Sequence, residues 1–416
     1  MPQQQTGRRL RAVGRHLRPA ARWAGAAAPS AVAAATKTKP ETKRVRLALI
    51  GVGSGAGGSG IGERHLNHAL AESEAFEVVA VVDPADRGAE IARMHGLPHY
   101  RDTGEMLREV KPDAAVLAVP NHVHVPVGLQ CLEHGVHILV EKPLAPSVAE
   151  GKQLVDAAAA KNLIVAVGHH RRFDPAVVGA KRLVDPDSVE GIGPLLNASV
   201  MWCLRKPDEY YSLEHRRLPG AGPITTNFSH DVDTLRFLCG EIEEVMGMAS
   251  NQLGRGGVNE DSAALLLRFR SGGLASVSLS DAAPSPWNWE SATGENDTVP
   301  HTDANCYRFV GAQGCLDFPT LELWKHTAEG GPSDGGVGHW GDAFEKDAIE
   351  LAQRQPLGSW RDELLAFGEA VRAGSLADRT GSVTSGADGL ATVAAMEAVL
   401  QAVAVGGLIK PSFTLD

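Results

Sequence analysis

The sequence predicts an α/β protein in which a doubly wound parallel sheet is followed by an α+β domain with a large, mostly antiparallel sheet. Three observations predict it. From residue 44 to 168, short apolar β-branched runs alternate with helical segments, which is typical of parallel strands joined by right-handed crossovers. In residues 169–416, strand candidates follow one another directly, which favours antiparallel pairing. A chain of 416 residues is long enough for two domains, each with its own core.

The elements of the first domain follow from hydrophobic periodicity. Short apolar runs bounded by glycine, proline or aspartate are strand candidates, and longer amphipathic segments are helix candidates. The predicted strands are 45–51, 77–83, 113–120, 136–141 and 163–168, and the predicted helices are 61–73, 124–135 and 147–162.

In the second domain, several strand candidates alternate polar and apolar residues, as expected for a sheet with one exposed face. The loop 282–305 is rich in Pro, Gly and Asn, and a loop of that length is usually functional or disordered. Its Trp287 and Trp289 fit a wall of a sugar site and a subunit contact equally well. The predicted strands are 195–203, 242–250, 261–269, 273–281, 307–318 and 321–324, and the predicted helices are 226–239 and an Ala-rich one near 381–404 that runs back over the first domain.

Residues 1–43 differ in composition from the rest of the chain. They contain nine Lys or Arg residues and one acidic residue, and an Ala-rich stretch follows the arginines. This composition is typical of an organellar transit peptide, although a disordered extension or a misassigned start stays open. We therefore expect a cytoplasmic protein, or a mitochondrial or plastid one if the leader is cleaved.

Composition excludes several function classes. The chain carries a net charge of −10 despite its basic leader, and so acidic a body argues against nucleic-acid binding. No uninterrupted apolar run reaches the roughly 18 residues of a membrane helix, so we expect no membrane partner. The five cysteines form no CxxC pair, which argues against a disulfide framework. The His122/His124 and His169/His170 pairs lack a Cys or acidic ligand at fixed spacing, so we predict no metal site.

A glycine-rich loop, residues 51–65, follows the first strand and opens the first helix. A Rossmann dinucleotide site needs glycines there for a tight turn and for close backbone approach to the pyrophosphate. The GxGxxG spacing fits from Gly53 or from Gly55, so its register stays open. Asp83 closes the next strand, where a carboxylate can accept hydrogen bonds from both ribose hydroxyls and repel a 2′-phosphate. The predicted cofactor is therefore NAD, and the nearby Arg87 keeps NADP open.

The strand 136–141 ends in the tripeptide Glu141-Lys142-Pro143. Because open α/β sheets bind ligands at the carboxyl ends of their strands, Lys142 is predicted to lie beside the nicotinamide. A partly desolvated lysine there can donate to a substrate hydroxyl or carbonyl and titrate near neutral pH.

A basic run, His169 to Arg172, follows the strand candidate 163–168 in the same way. We expect His170, Arg171 and Arg172 to contact an oxygen-rich or anionic substrate. A solvated basic turn is the alternative.

Four segments resemble the glucose–fructose oxidoreductase / inositol dehydrogenase / rhizopine-catabolism (Gfo/Idh/MocA) superfamily. The resemblance covers residue 44 to the C-terminus. It implies NAD(P)-linked oxidation or reduction of a sugar, an inositol or another polyol, and a homodimer or homotetramer formed through the outer sheet. The segments are 118–145, with its PNxxH and EKP motifs, 168–175, 220–241 and 307–314.

The resemblance also implies roles for individual residues. Lys142 matches the catalytic lysine and His230 the catalytic histidine. We assign His230 as general base and Lys142 as donor to the reacting oxygen, and the reverse stays open because coupled groups do not titrate separately. Arg171 and Arg172 match the substrate side, and the residues that match the nicotinamide side are Pro120, Asn121, His124, Glu141 and Pro143.

The glycine loop departs from the superfamily's pattern, GxGxIGxxH. Seven residues, SGAGGSG, separate Gly53 from Ile61 where the pattern has one. The predicted equivalents are Gly51, Gly53, Ile61 and Gly62, with the intervening residues as a bulge.

A second departure lies before the histidine. Thr226, followed by Asn227, stands where many members have an aspartate four residues before His230. Because i and i+4 share a helix face, Thr226 is expected to hydrogen-bond His230 or a substrate hydroxyl without stabilising an imidazolium by charge. We therefore expect either a substrate that differs from those of the members with the aspartate, or a His230 that is less basic than their histidine.

Two other functions remain open from sequence. One is a cofactor-binding regulator without catalysis, and the other is a glycoside hydrolase that recycles its NAD. The presence of both Lys142 and His230 argues against the regulator.

Overall fold

Two sheets dominate the computed structural model of the protein. The structure describes residues 43–53, 60–296, 298–326, 341–349, 358–376 and 381–412. The predicted leader, apart from its last position, lies outside the described residues. So do positions 54–59 of the glycine loop, including Gly55, from which the second motif register would begin.

The first sheet has seven strands in the order β15-β6-β5-β4-β1-β2-β3. Six of them are parallel, and β15 is an antiparallel edge strand. The order 3-2-1-4-5-6 is that of a doubly wound dinucleotide-binding sheet, which confirms the predicted fold class. The strands are β1 (Val45–Ile50), β2 (Phe76–Val82), β3 (His99–Tyr100), β4 (Ala114–Leu117), β5 (His137–Glu141), β6 (Val165–Gly168) and β15 (Thr384–Ser385).

Five helices connect these strands. Sequence reasoning missed two of them and the short strand β3. One of the two carries a readable start signal, since Asp102 caps it by accepting a hydrogen bond from the Glu105 N–H at 2.8 Å. The helices are α1 (Ile61–Ala71), α2 (Asp86–Met94), α3 (Thr103–Val110), α4 (His124–Glu133) and α5 (Val148–Lys161).

The second sheet has eight strands in the order β14-β13-β12-β11-β7-β10-β9-β8 and is antiparallel except between β7 and β10. The single strand predicted at 307–318 is wrong. The chain reverses at Ala312–Gly314, where the Gly311 N–H donates to the Gly314 carbonyl, and forms a hairpin. The strands are β7 (Leu195–Cys203), β8 (Ile242–Ser250), β9 (Ser262–Phe269), β10 (Leu274–Ser280), β11 (Tyr307–Gly311), β12 (Cys315–Phe318), β13 (Glu322–His326) and β14 (Phe344–Ala348).

Burial explains the sequence pattern of both sheets. All four residues of β4 are buried because helices cover both faces of the first sheet. Along β9 and β10, buried and exposed residues alternate, as expected for a sheet with one free face. The remaining helices are α6 (Pro175–Val184), α7 (Ser229–Cys239), α8 (Trp289–Thr293), α9 (Gly358–Ala373) and α10 (Gly386–Val405).

Helix α10 connects the two halves of the described chain. It contacts α5 and β6 on one side and α7 and β8 on the other. By length and composition it could cross a membrane, contrary to our reading of the sequence for apolar runs, but 56% of its most apolar stretch is buried inside the protein. A helix that is apolar around its circumference is typical of a core position.

Candidate active site

The glycine loop packs tightly between β1 and α1. Gly51 has φ +92°, and a Cβ there would lie 2.5 Å from the Ala118 carbonyl oxygen. A Cβ on Gly62 would lie 2.1 Å from the Gly51 carbonyl oxygen. Both positions therefore require glycine, in agreement with the predicted equivalents, and α1 begins at Ile61 directly before this contact.

A cavity of about 440 Å³ lies over this loop at the carboxyl ends of the strands. Asp83 lines it and fixes the loop, because its Oδ2 accepts from the Gly53 N–H at 2.7 Å and its Oδ1 from the Ala85 N–H at 2.9 Å. Arg87 lies half-exposed, 3.7 Å from both Glu63 and Glu90. The cavity thus offers a glycine cradle and a carboxylate to a dinucleotide, and its nearby arginine already has two carboxylate partners.

The predicted nicotinamide-side residues divide into two groups. Pro120 lines the large cavity, Asn121 lies exposed at the start of a 3₁₀ turn, and Pro143 lines a smaller cavity of about 90 Å³. His124 is buried, and its Nδ1 and Nε2 lie 2.8 and 2.9 Å from the Pro143 and Val119 carbonyl oxygens. Its ring therefore positions the backbone around Pro143 instead of facing a ligand.

Glu141 has a similar positioning role. Its Oε1 lies 2.8 Å from the Nε2 of His65, which is fully buried on α1, and its Oε2 accepts from the Lys142 N–H at 3.2 Å. The Lys142–Pro143 peptide is cis. The carboxylate thus ties the end of β5 to α1 directly beneath Lys142.

Lys142 and His230 lie within electrostatic reach of each other. Lys142 and Ser229 line the smaller cavity, and His230 follows Ser229 on α7. Burial lowers the pKa of Lys142, while the Glu141 carboxylate opposes that shift. Burial, the Lys142 ammonium and the Arg171 guanidinium hold the pKa of His230 well below its ordinary value. His230 is therefore neutral at pH 7 and can accept a proton. Its lowered pKa agrees with the less basic histidine that the sequence led us to expect.

Of the two partners expected for Thr226, His230 is not hydrogen-bonded to it among the described residues, and the substrate hydroxyl stays a prediction. Thr226 lies in a turn of π-helix, Ile224–Phe228, so the i,i+4 geometry of an α-helix does not apply there. Its Oγ1 hydrogen-bonds the Gly222 carbonyl and Asn227 Oδ1 at 3.0 and 2.8 Å and accepts from Lys206 Nζ at 3.3 Å. Thr226 and Asn227 thus belong to a polar network with Lys206.

The prediction that Arg172 binds substrate is wrong. The side chain is 3% exposed and donates to both carboxylate oxygens of Asp233 at 2.7 and 2.8 Å, and a third nitrogen reaches Asp388 at 3.3 Å. Burial would raise the pKa of Asp233, but Arg172 and His169 hold it at about 2. Arg172 therefore joins its turn to α7 and α10 as a structural ion pair.

His170 and Arg171 lie near His230. The His170 ring centroid is 5.7 Å from that of His230, and its Nε2 lies 3.0 Å from Glu295. Arg171 lies 4.3 Å above the Trp289 ring, with Glu290 and Glu295 each 3.4 Å away. Both side chains are buried, so an anionic substrate does not meet a free guanidinium here.

Two family models match the chain. Residues 45–169 match the Gfo/Idh/MocA oxidoreductase family with its NAD-binding Rossmann fold, and residues 180–316 match the Gfo/Idh/MocA C-terminal domain. Together they cover more than half of the sequence. The chain belongs to the Gfo/Idh/MocA oxidoreductase family.

Curated relatives lie within this family's range of dehydrogenases. The chain is 29% identical to scyllo-inositol 2-dehydrogenase (NAD(+)) of Bacillus subtilis over 54% of its own length and 65% of the relative's. It is 29% identical to levoglucosan dehydrogenase of Pseudarthrobacter phenanthrenivorans over 42% of its length and 45% of the relative's. It is 33% identical to 4-carboxy-2-hydroxymuconate-6-semialdehyde dehydrogenase of a Sphingobium strain over 28% of its own length and 37% of the relative's. The chain thus spans about half the length of the curated relatives it matches.

Solved structures show the same fold across nearly the whole length. A levoglucosan dehydrogenase in complex with NADH and levoglucosan superposes with a TM-score of 0.69 at 20% identity, over 89% of this chain and 100% of that one. An oxidoreductase from Thermotoga maritima superposes with a TM-score of 0.68 at 21% identity, over 88% of this chain and 98% of that one.

Sequence reasoning missed several side chains around this Gfo/Idh/MocA site. Trp360 of α9 stacks on His170 with centroids 3.7 Å apart, and Glu363, one turn later, is 2% exposed. Burial and the Glu141 and Asp233 carboxylates raise the pKa of Glu363 well above its ordinary value. The helical periodicity of residues 358–373 could have revealed α9, whereas nothing local indicates what its side chains contact.

Proposed function

We propose that this protein is an NAD-dependent dehydrogenase or reductase that acts on a CH–OH or carbonyl group of a sugar, an inositol or a similar polyol. The observation that supports the proposal is that Lys142, directly after β5, lies close enough to His230 of α7 for its charge to lower the pKa of that histidine. The relatives named as inositol and levoglucosan dehydrogenases support the substrate class.

The cofactor fits the cavity over the glycine loop. Gly51, Gly53 and Gly62 would hold the pyrophosphate, and Asp83 would accept from the adenosine ribose. When bound, NAD⁺ accepts the two electrons and the hydrogen that leave the substrate carbon. Because Asp83 contributes a negative charge where a 2′-phosphate would lie, NAD is preferred over NADP.

The protein's own contribution is to position the substrate oxygen and move its proton. Neutral His230 takes the proton from the hydroxyl, and the Lys142 ammonium donates a hydrogen bond to the same oxygen as its charge grows. In reduction, the same two groups return the proton. Glu141 and His65 hold the Lys142 backbone in place throughout.

The test is a screen of sugars and polyols with NAD and with NADP, followed by absorbance at 340 nm. We expect NADH formation with at least one compound and its loss in Lys142→Ala, which should still bind NADH. Tight NADH binding without turnover of any compound would instead favour a regulator. Cleavage of a glycoside without net NADH would favour a hydrolase.

We also propose that a second copy of the chain covers the outer face of the eight-stranded sheet. Exposed apolar side chains cluster on β8, β9 and β10 around a groove of about 260 Å³. A monomer rarely leaves such a surface in water. Light scattering should show a dimer or tetramer, and a monomer at micromolar concentration would contradict the proposal. The exposed side chains are Met246 and Met248 of β8, Leu266 of β9 and Leu274 of β10, with Leu196 of β7 and Leu408 after α10 beside them.

A further inference from the structure

In the candidate site, one buried positive charge lies beneath two partly exposed negative charges. Arg171 lies beneath the surface of the site, with 4% of its side chain exposed, whereas Glu290 and Glu295 keep 12% and 15%. Each glutamate lies 3.4 Å from the guanidinium, and Asp231 lies 3.7 Å from it. One buried cation therefore faces three carboxylates, two of which reach solvent.

These carboxylates belong to the reacting centre. Glu295 hydrogen-bonds His170, whose ring adjoins His230. The charges of Glu290 and Glu295 also raise the pKa of Lys142, against the larger effect of burial. Glu295 is therefore separated from His230 by the His170 ring alone, and Glu290 shares Arg171 with it.

Two other cations near this surface already have carboxylate partners, whereas the Lys142 ammonium lies within 4 Å of none among the described residues. Lys206 lies 3.4 Å from Asp281, and Arg172 is bound to Asp233. Among the described residues, Arg216 lies within 4 Å of no carboxylate, but it stacks on Tyr210 at 4.0 Å. Its charge is not among those that chiefly shift the pKa of Lys142 or His230.

We propose that the substrate ring carries hydroxyl or amino groups and no carboxylate or phosphate, and that Glu290 and Glu295 make this selection. The inference rests on the oxidoreductase function proposed above and narrows its substrate. Ionised carboxylates accept hydrogen bonds and cannot donate them, so they favour hydroxyls and ammonium groups. An anionic substituent would meet like charges in a partly buried site.

The ionisation of Glu295 fits this selection, whereas burial raises the pKa of Glu290 against the opposing effect of Arg171. Burial would raise the pKa of Glu295, but Arg171 and His170 hold it at about 2, so Glu295 is charged at neutral pH. Burial raises the pKa of Asp231 to about 6. Behind the glutamates, Asp231 Oδ2, His170 Nδ1 and the Nε and Nη1 atoms of Arg171 have no hydrogen-bond partner among the described residues.

The test compares matched sugars on the full-length enzyme. D-glucose, D-glucosamine and D-glucuronate, and the corresponding galactose series, are assayed for NADH formation and for binding to the NADH-loaded protein by calorimetry. We expect kcat/KM for each uronate to be at least about tenfold below that for its parent sugar, and each amino sugar to equal or exceed its parent. A tenfold ratio corresponds to about 1.4 kcal/mol.

Two variants connect this preference to the glutamates. Glu295→Gln and, separately, Glu290→Gln should raise relative use of the uronate and lower that of the amino sugar, each by about tenfold if the charge acts directly. Glu369→Gln, an exposed glutamate of α9, is the matched control and should leave all ratios unchanged. Thermal unfolding identifies a variant that fails to fold, and the other variant then decides.

The outcomes separate this inference from the proposed function. Preferred use of the uronates, or unchanged ratios in both glutamate variants, overturns the substrate class. Binding in the expected order without NADH formation supports the substrate class and contradicts the oxidoreductase function. Binding of none of the six sugars contradicts both.

Discussion

Replacing Lys142 by methionine removes the ammonium while keeping an unbranched side chain of similar length. General acid–base assistance by one positioned group contributes about 10²–10⁴-fold to a rate. At 1.36 kcal/mol for each tenfold change, the expected loss is about 2.7–5.4 kcal/mol of transition-state stabilisation. The cofactor cavity over the glycine loop does not include Lys142, so NADH affinity should change little.

The pH profile of the variant gives the sharper test. Oxidation needs neutral His230, so the rate falls as pH drops through the pKa of His230, which lies well below 6.5 in the wild type. Because the Lys142 charge is one cause of that low pKa, its removal raises the pKa of His230. The acidic limb of kcat/KM should therefore move to higher pH in Lys142→Met.

The alkaline limb should change as well. In the wild type, the rate falls as Lys142 loses its proton, at a pH below 10.5 because burial lowers its pKa. This limb should disappear in the variant. The assay is NADH formation between pH 5 and 10 with the best sugar of the screen. Lys152→Met, which removes a surface ammonium 2.9 Å from Asp156, is the control and should keep the wild-type profile. An acidic limb that stays in place in Lys142→Met would show that the Lys142 charge does not lower the pKa of His230.

Three further predictions concern the cofactor and the fold. Asp83→Ala removes the charge that repels a 2′-phosphate, so the preference for NAD over NADP should fall, and an unchanged ratio would remove the basis for naming NAD. Gly62→Ala places a Cβ 2.1 Å from the Gly51 carbonyl oxygen, and NADH should bind at least about tenfold more weakly in a fluorescence titration; wild-type affinity would show that the loop yields. Arg172→Leu leaves Asp233 buried without its partner and should cost about 3–5 kcal/mol in urea unfolding, with KM unchanged in folded protein. A raised KM at unchanged stability would restore the substrate role.

The fold could be predicted because its signals are local. A buried parallel strand is a short apolar run, and the turn after β1 needs glycine because Gly51 has a φ of +92°. Lys142 could be placed for the same reason, since the carboxyl edge of such a sheet is where ligands bind. The resemblance supplied His230, which the residues around it would not have singled out.

The charge of the site could not be predicted because it depends on pairs distant in sequence. Arg171 and Arg172 suggest an anion site when read alone. Their partners Glu290 and Asp233 lie 119 and 61 residues further along the chain. Only the fold brings these carboxylates against the two guanidiniums, which therefore face protein carboxylates instead of solvent.

The same reasoning explains how the reacting pair is supported. The His170 ring lies between two aromatic neighbours, with Trp360 stacked at 3.7 Å and His230 at 5.7 Å. Trp360 comes from α9, which packs on α1, the helix whose His65 holds Glu141 beneath Lys142. Helix α9 therefore reaches both members of the pair, one through His170 and the other through α1. A segment distant in sequence thus packs against the side chains that support both proposed catalytic residues.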